Sequence, residues 1–172
     1  MLELYKTRRS IRKFQDKAIE QEKIDEILKS ALTAPSSKGL KPWELIVVTD
    51  KEVLKKLGES RGASSKLIAG AAFGIAVIAD SEIADIWTED ASIIAIMIQL
   101  AAHSLGLGSC WVQVRERVTP NQGSVDYYVK EVLAIPEKYK VECILALGYP
   151  GEEKEPHKED KLPLEKIHYN RF

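Results

Sequence analysis

The sequence contains few residues that form disulfides or bind metals, with two cysteines and three histidines in 172 residues. Cys110 and Cys143 lie in apolar runs without CxxC spacing, so we expect two reduced core thiols and no disulfide framework. His103, His157 and His168 are scattered and form no HExxH or HxxxH pair. The pattern therefore predicts no metal site.

The sequence also lacks a charge excess and a long hydrophobic run. Its formal net charge is -1, whereas a nucleic-acid-binding surface normally needs a basic excess. The N-terminal sequence MLELYKTRRSIRKF is polar and does not resemble a signal peptide. The most apolar stretch, 91–107, is interrupted by Ser92, Gln99 and His103. We expect a cytoplasmic protein that binds neither nucleic acid nor a membrane.

Two common enzyme signatures are missing as well. No G-x-G-x-x-G sequence opens a helix after a strand, which argues against a dinucleotide-binding Rossmann unit. The sequence has no signature of a catalytic triad or of paired catalytic carboxylates.

Hydrophobic periodicity predicts helices and short strands in a single domain spanning residues 1–172. We predict helices over 21–33, 51–57, 88–105 and 124–133, and buried strands over 44–49, over 73–79, from Cys110 onward and over 142–147. Asp50 is the expected N-cap of the second helix. Since the strands are short and apolar, helices must cover both faces of the sheet.

Two segments indicate contacts beyond one chain. The helix over 88–105 is apolar on nearly all sides, so we expect it to be central and to contribute to a subunit interface. The tail over 148–172 combines prolines and charges with no helical period. A tail of this kind is expected to wrap over another surface, and one candidate is the partner subunit.

The densest functional signal is the sequence Arg8-Arg9-Ser10-Ile11-Arg12. Guanidinium groups bind phosphate oxygens in a bidentate way, and Ser10 adds a hydroxyl donor. If the segment is bent or extended, Arg8, Ser10 and Arg12 project together. The alternative is a solvated basic arm, because basic runs are common.

Two further segments are candidates for close contact with a ligand. The stretch 34–43, APSSKGLKPW, has small residues and prolines that set a rigid turn, although it also fits an ordinary helix-to-strand loop. The stretch 106–114, GLGSCWVQV, begins with glycines that allow close backbone approach, although the same glycines fit a helix C-cap. Trp43 is more often a core residue than a ligand platform.

Taken in order, these motifs resemble the nitroreductase-like FMN-dependent oxidoreductase family. RRSIRKF, APSSKGLKPWELIVV, LGLGSCWV and a tail that begins LGYP and carries basic residues before Leu-Pro follow one another over nearly the whole chain. The resemblance implies an α+β fold with a mixed, largely antiparallel central sheet flanked by helices on both faces. It also implies a homodimer with FMN at the subunit interface and the C-terminal tail extending onto the partner.

The resemblance assigns roles to the N-terminal motif. Arg8 and Ser10 would contact the FMN phosphate, and Arg12 would reach the pyrimidine edge, where a cation stabilises the anionic reduced ring. Arg9 would contribute mainly through its backbone.

It also assigns roles to the two later motifs. Pro35, Ser36 and Ser37 would come from the other subunit and cover the isoalloxazine ring. Backbone amides near Gln113 and Val114 would face flavin N5 and O4.

Lys161, just before Leu162-Pro163, matches the basic residue that binds phosphate in the C-terminal part of the family. Several other positions depart from the family pattern. Gly39 stands where the family often has Asn, so the Asn side chain that contacts the flavin is missing, and Lys41 stands in place of Gln. Glu159 stands where the family has a second basic residue. Lys158 is a candidate to take the role of that residue.

The activity implied by the resemblance is a ping-pong hydride transfer from NAD(P)H through flavin N5 to a small-molecule acceptor such as a nitroaromatic, a quinone or an activated alkene. No catalytic side chain is required, which fits the missing triad. One alternative is a flavoprotein of the same fold with another role, namely reductive dehalogenation, flavin fragmentation or flavin binding. The other is a non-enzymatic domain that binds an anionic partner through RRSIRK.

Overall fold

Four apolar strands form one antiparallel sheet. In the computed structural model, which describes residues 2–172, they are β1 (Trp43–Val48), β2 (Phe73–Asp80), β3 (Gly108–Gln113) and β4 (Tyr139–Gly148). Their order is β1-β2-β4-β3, and each neighbouring pair is antiparallel. The α+β class is confirmed, whereas the expected mixed sheet is corrected to an antiparallel one. β1 pairs with β2, β2 with β4 and β4 with β3, all antiparallel, and among the described residues the parallel pairing is a single bridge between Ser10 and Ser109.

Within residues 2–172, five α-helices surround this sheet. They are α1 (Leu2–Thr7), α2 (Gln21–Ala31), α3 (Lys51–Glu59), α4 (Trp87–Ser104) and α5 (Val125–Leu133). All but α1 lie within two residues of the predicted bounds. Asp50 caps α3 by accepting hydrogen bonds from the amides of Glu52 and Val53, as predicted. Gly106, with φ of 78°, follows the end of α4.

Side chains of the central strands alternate between the two faces of the sheet, so the core forms one layer on each face. Phe73, Ile75 and Val77 pack in one cluster with residues of α2 and α4. Ala76 and Ile78 of the same strand pack in a second cluster with residues of α3 and α5. Helices therefore cover both faces, as the buried strands required.

The two cysteines are unpaired and buried, as predicted. Burial raises the pKa of the Cys143 thiol well above its ordinary value. Within residues 2–172, no helix combines the length and the apolar character needed to cross a bilayer.

Candidate functional site

The basic N-terminal motif forms an arm against the start of β3. The amide of Ile11 donates to the carbonyl of Ser109 at 2.9 Å, which fixes the arm on this edge of the sheet. Gly108 permits the contact, since a Cβ at this position would lie 2.8 Å from the Cβ of Ile11. The extended arm leaves Arg8, Arg9 and Ser10 half-buried and Arg12 exposed.

The C-terminal tail meets this arm within the same chain. A guanidinium nitrogen of Arg9 donates to the carbonyl of Glu155, and the amide of His157 donates to the carbonyl of Lys6 at 2.9 Å. The Lys6 ammonium pairs with the Glu159 carboxylate at 2.8 Å. Arg9 therefore contributes its side chain to the tail contact, beyond the backbone role expected from the sequence.

This contact creates a basic pocket of about 350 Å³. Arg9, His157, Lys158 and Lys161 line it together with Glu155, Pro156 and Leu162. The structure thus places Lys161 beside the N-terminal arm and adds Lys158, while Glu159 is paired with Lys6. A cluster of this kind suits a phosphate group, since cationic side chains favour it electrostatically and donate charge-assisted hydrogen bonds.

A second pocket of about 210 Å³ lies between the arm and the end of α4, and Arg9 lines both pockets. His103 lines this pocket, and its Nε2 lies 2.9 Å from the Thr7 hydroxyl. Burial, and then the charge of Arg8, lower the pKa of His103, so we expect the imidazole to be neutral at neutral pH. No local motif predicts that Thr7 and His103 line this pocket.

The carboxylate of Glu152 lines the same pocket and ties the arm down. It accepts hydrogen bonds from the amide of Arg12 at 2.6 Å and that of Lys13 at 3.3 Å, and it pairs with Lys154 at 3.0 Å. The Arg12 amide, followed by Lys154, lowers the pKa of Glu152 to about 2. Sequence reasoning missed Glu152 because no motif around it indicates that its carboxylate accepts hydrogen bonds from the arm.

The lowered pKa of Glu152 makes a testable contribution to acid stability. Its stabilising effect is fully present above the unfolded-state pKa near 4.5 and is lost as pH falls toward about 2. We expect Glu152→Gln to be less stable than wild type at neutral pH, with the difference shrinking as pH falls through this window. Urea denaturation across the range measures it. Glu153→Gln, at the exposed neighbour, is the control, and a difference for Glu152→Gln that does not change with pH would contradict the assignment.

The outer edge of β3 exposes backbone groups that a planar ligand can use. The amides of Val114 and Arg115 both donate to the carbonyl of Glu142 at 3.1 Å, so the Val114 amide is engaged within the sheet. Because amides alternate in direction along a strand, the Gln113 amide points away from β4. The Gln113 carbonyl also faces outward and accepts from Arg61 at 3.1 Å.

The Gln113 side chain is held by a buried network. Its amide nitrogen donates to Glu142 at 3.1 Å, and its amide oxygen accepts from the Trp111 indole at 2.8 Å. The opposite carboxylate oxygen of Glu142 accepts from Arg115 Nε at 2.9 Å. These contacts fix the conformation of the strand end at which the Gln113 amide is exposed.

The small-residue turn lies elsewhere in the protomer. The amide of Ser37 donates to the Asp90 carboxylate at 2.9 Å, near the start of α4, whereas the arm contacts His103 near its end. Thirteen residues of helix separate these anchors, a rise of about 20 Å. Pro35, Ser36, Ser37 and Gly39 are therefore not brought together with the arm in one chain. Trp43 follows the turn and is buried in the core.

These features define a class of protein: an α+β domain with a basic pocket at the edge of an antiparallel sheet, built from both ends of the chain. Among the described residues, no three His, Cys, Asp or Glu side chains gather into a metal site.

Comparison with known proteins identifies the family. The nitroreductase family model matches residues 5–64 and 59–149. An FMN-dependent nitroreductase from Clostridium difficile R20291 has the same fold with a TM-score of 0.98 and 50% identity, and the match covers 100% of both chains.

Two curated proteins extend the comparison. A protein of Archaeoglobus fulgidus with the provisional name NADH dehydrogenase/NAD(P)H nitroreductase is 36% identical over 99% of this chain and 98% of its own length. The Bacillus subtilis protein named FMN reductase [NAD(P)H] is 29% identical over 94% of this chain and 69% of its own length. The chain belongs to the nitroreductase family. The resemblance found in the sequence, and with it the expected oxidoreductase class, is confirmed.

Proposed function

We propose that this chain uses FMN to pass hydride from NAD(P)H to a small acceptor, at two equivalent sites of a homodimer. The observation that carries the proposal is the basic pocket of Arg9, Lys158 and Lys161, which the two ends of the chain assemble. The FMN-dependent nitroreductase of Clostridium difficile, with its fold in common over the full length, supports the choice of cofactor.

The residues present fit a flavin phosphate. Arg8 and Ser10 are half-buried residues of the arm, on either side of Arg9, which lines the basic pocket. Lys161 lines the same pocket from the tail. We assign Arg8, Ser10 and Lys161 to the phosphate, with Arg9 holding the tail in place. Lys158 supplies the second positive charge of the tail, which offsets the loss of a basic residue at Glu159.

The edge of β3 fits the flat end of the same cofactor. The outward amide of Gln113 is a donor for flavin N5 or O4, and Arg12, exposed on the arm, is the cation for the pyrimidine edge. The Val114 amide is bonded to Glu142, so Val114 would act by packing. When bound, FMN supplies the hydride chemistry, and the chain supplies orientation, positive charge and exclusion of water.

Two observations support a homodimer. The small-residue turn and the arm are anchored about 20 Å apart along α4, which favours a turn from another subunit as the cover of the flavin. Apolar surface is also available for a partner. One groove of about 460 Å³ lies between α1, α2 and α4, and another of about 360 Å³ lies beside the edge strand β1.

The tail is the segment we assign to the partner surface. Residues 153–172 are exposed along their whole length in one chain. They nevertheless carry large apolar side chains that a free tail would leave in water, namely Leu162, Leu164, Ile167, Tyr169 and Phe172. A two-fold dimer would bury these side chains symmetrically on both subunits.

The reaction is tested by anaerobic reduction. The purified protein is expected to be yellow or to take up FMN, and NADH or NADPH should bleach the flavin absorbance. A quinone or a nitroaromatic should restore it, and initial rates at varied donor and acceptor should give the parallel lines of a ping-pong mechanism. A colourless protein that refuses FMN would contradict the cofactor. FMN that neither nucleotide reduces would contradict the reductase.

A further inference from the structure

We propose that Asp90 is a positioning residue that holds the turn of Ser36–Lys41 in shape, and that it thereby acts on the flavin site of the partner subunit. The inference rests on the proposed function, because the turn has a ligand to cover only if FMN binds at the subunit interface. Its observations are nevertheless separate, since they lie at the start of α4 and not at the basic pocket.

The turn has a backbone that needs support. Lys38, Gly39 and Lys41 have φ of 52°, 70° and 48°. This left-handed region is natural for Gly39 but uncommon for residues with a Cβ, so the two lysines persist there only when surrounding contacts hold them. A substitution at Gly39 meets no neighbouring atom within 4 Å, so the conformation, and not crowding, favours glycine.

Hydrogen bonds within the turn close it on itself. The Ser36 hydroxyl accepts from the amide of Lys41 at 2.8 Å, and the Ser36 carbonyl accepts from the amide of Gly39 at 3.0 Å. The bond from the Ser37 amide to Asp90 Oδ1, at 2.9 Å, then fastens the closed turn to α4. That bond sets the orientation of the turn relative to the rest of the fold.

Burial of the Asp90 carboxylate lowers stability, which a purely structural anchor would not require. Its side chain is 1% exposed, and its second oxygen, Oδ2, is buried with no hydrogen-bond partner among the described residues. A buried carboxylate with one free oxygen lowers stability, although its place in the first turn of α4 offsets part of the cost. A residue kept at this cost is better explained by what it positions.

The first experiment compares two substitutions at Asp90. Asp90→Ala removes the acceptor, and we expect FMN to bind about tenfold more weakly, as for a lost charge-assisted hydrogen bond. Asp90→Asn keeps an oxygen for the Ser37 amide and should bind FMN within about twofold of wild type. Glu89→Gln, the exposed neighbour, is the control. Flavin binding by Asp90→Ala equal to that of Glu89→Gln would overturn the inference.

A second substitution, at the donor of the same hydrogen bond, tests the inference if Asp90→Ala fails to fold. Ser37→Pro replaces the donating N–H with a ring carbon that presses against Asp90 Oδ1, so it breaks the contact while the Asp90 side chain is unchanged. Proline is tolerated at the first position of a helical turn. Ser37→Ala keeps the amide and is the reference for loss of the hydroxyl. We expect Ser37→Pro to bind FMN about tenfold more weakly than Ser37→Ala. Equal affinity would overturn the inference.

The action on the partner subunit is tested with mixed dimers. Asp90→Ala and Arg8→Ala chains with different tags are co-expressed, and the heterodimer is isolated. One of its sites then carries both substitutions and the other carries neither, so about half of the sites should bind FMN with wild-type affinity. If Asp90 acted within its own subunit, both sites would be damaged and no wild-type site would be found.

The outcomes separate the inference from the proposed function. Wild-type protein that binds no FMN would refute the proposed function itself. Wild-type protein that binds FMN, together with a heterodimer that has no intact site, would refute only the role of Asp90 across the interface.

Discussion

Replacing Arg8 with alanine is expected to weaken FMN binding about thirtyfold, which corresponds to about 2 kcal/mol for a bidentate phosphate contact. Arg8 is half-buried, and its charge is felt at two groups beneath the arm. Burial, and then Arg8, lower the pKa of His103, while burial raises the pKa of Cys110 and Arg12 and Arg8 oppose that rise. A guanidinium at such a position places a permanent positive charge beside the pocket, where an anion can bind.

Arg117→Ala is the matched control for Arg8→Ala. Arg117 is exposed, and its guanidinium donates to the carbonyl of Glu116, a contact of the local chain alone. Its loss should leave the flavin affinity unchanged. Fluorescence titration of the two apoproteins with FMN measures the difference, and equal affinities would exclude Arg8 from the phosphate site.

The regular elements could be predicted because their signals are local. The apolar spacing of α2, α3, α4 and α5 and the buried runs of the strands are visible in short windows of sequence. Helix α1 could not be predicted because it lacks such a local signal. Its six residues, Leu2–Thr7, are too few to show a period, and the helix depends on packing against α4, as in the contact between Thr7 and His103.

The candidate site divides in the same way. The arginine motif and the small-residue turn are continuous in sequence and could be singled out from it. The contacts that organise them are not: Arg9 meets Glu155 across 146 residues, and Ser37 meets Asp90 across 53. Glu152 and Asp90 are ordinary carboxylates until the fold places them against backbone amides. Their roles follow from tertiary structure alone.

The direction of the Gln113 and Val114 amides was also beyond sequence reasoning. Both residues lie at the end of an apolar strand, and either could have faced a ligand. Pairing with β4 decides between them, since the Val114 amide bonds to Glu142 and the Gln113 amide is left outward. A shift of one residue in the register would have exchanged the two roles.

The network behind this strand end gives the largest expected effect on stability. Glu142 is 3% exposed, and its carboxylate is balanced by Arg115 at 2.9 Å and by the Gln113 side-chain amide at 3.1 Å. Arg115→Ala would leave that charge buried with one neutral donor. We expect the free energy of unfolding to fall by about 3 kcal/mol, the cost of a buried ion that has lost its partner.

A double-mutant cycle of Arg115→Met, Glu142→Leu and their combination, compared with Arg115→Ala, separates the cost of the unpaired charge from the contribution of the ion pair. Arg115→Met combined with Glu142→Leu removes both charges, so the double variant should be more stable than Arg115→Ala, since an apolar pair avoids the desolvation penalty. Urea denaturation of each variant, with Arg117→Ala as the exposed control, supplies the free energies. If Arg115→Ala cost no more than Arg117→Ala, water would have to reach Glu142, and the carboxylate could no longer be the rigid support of the Gln113 amide.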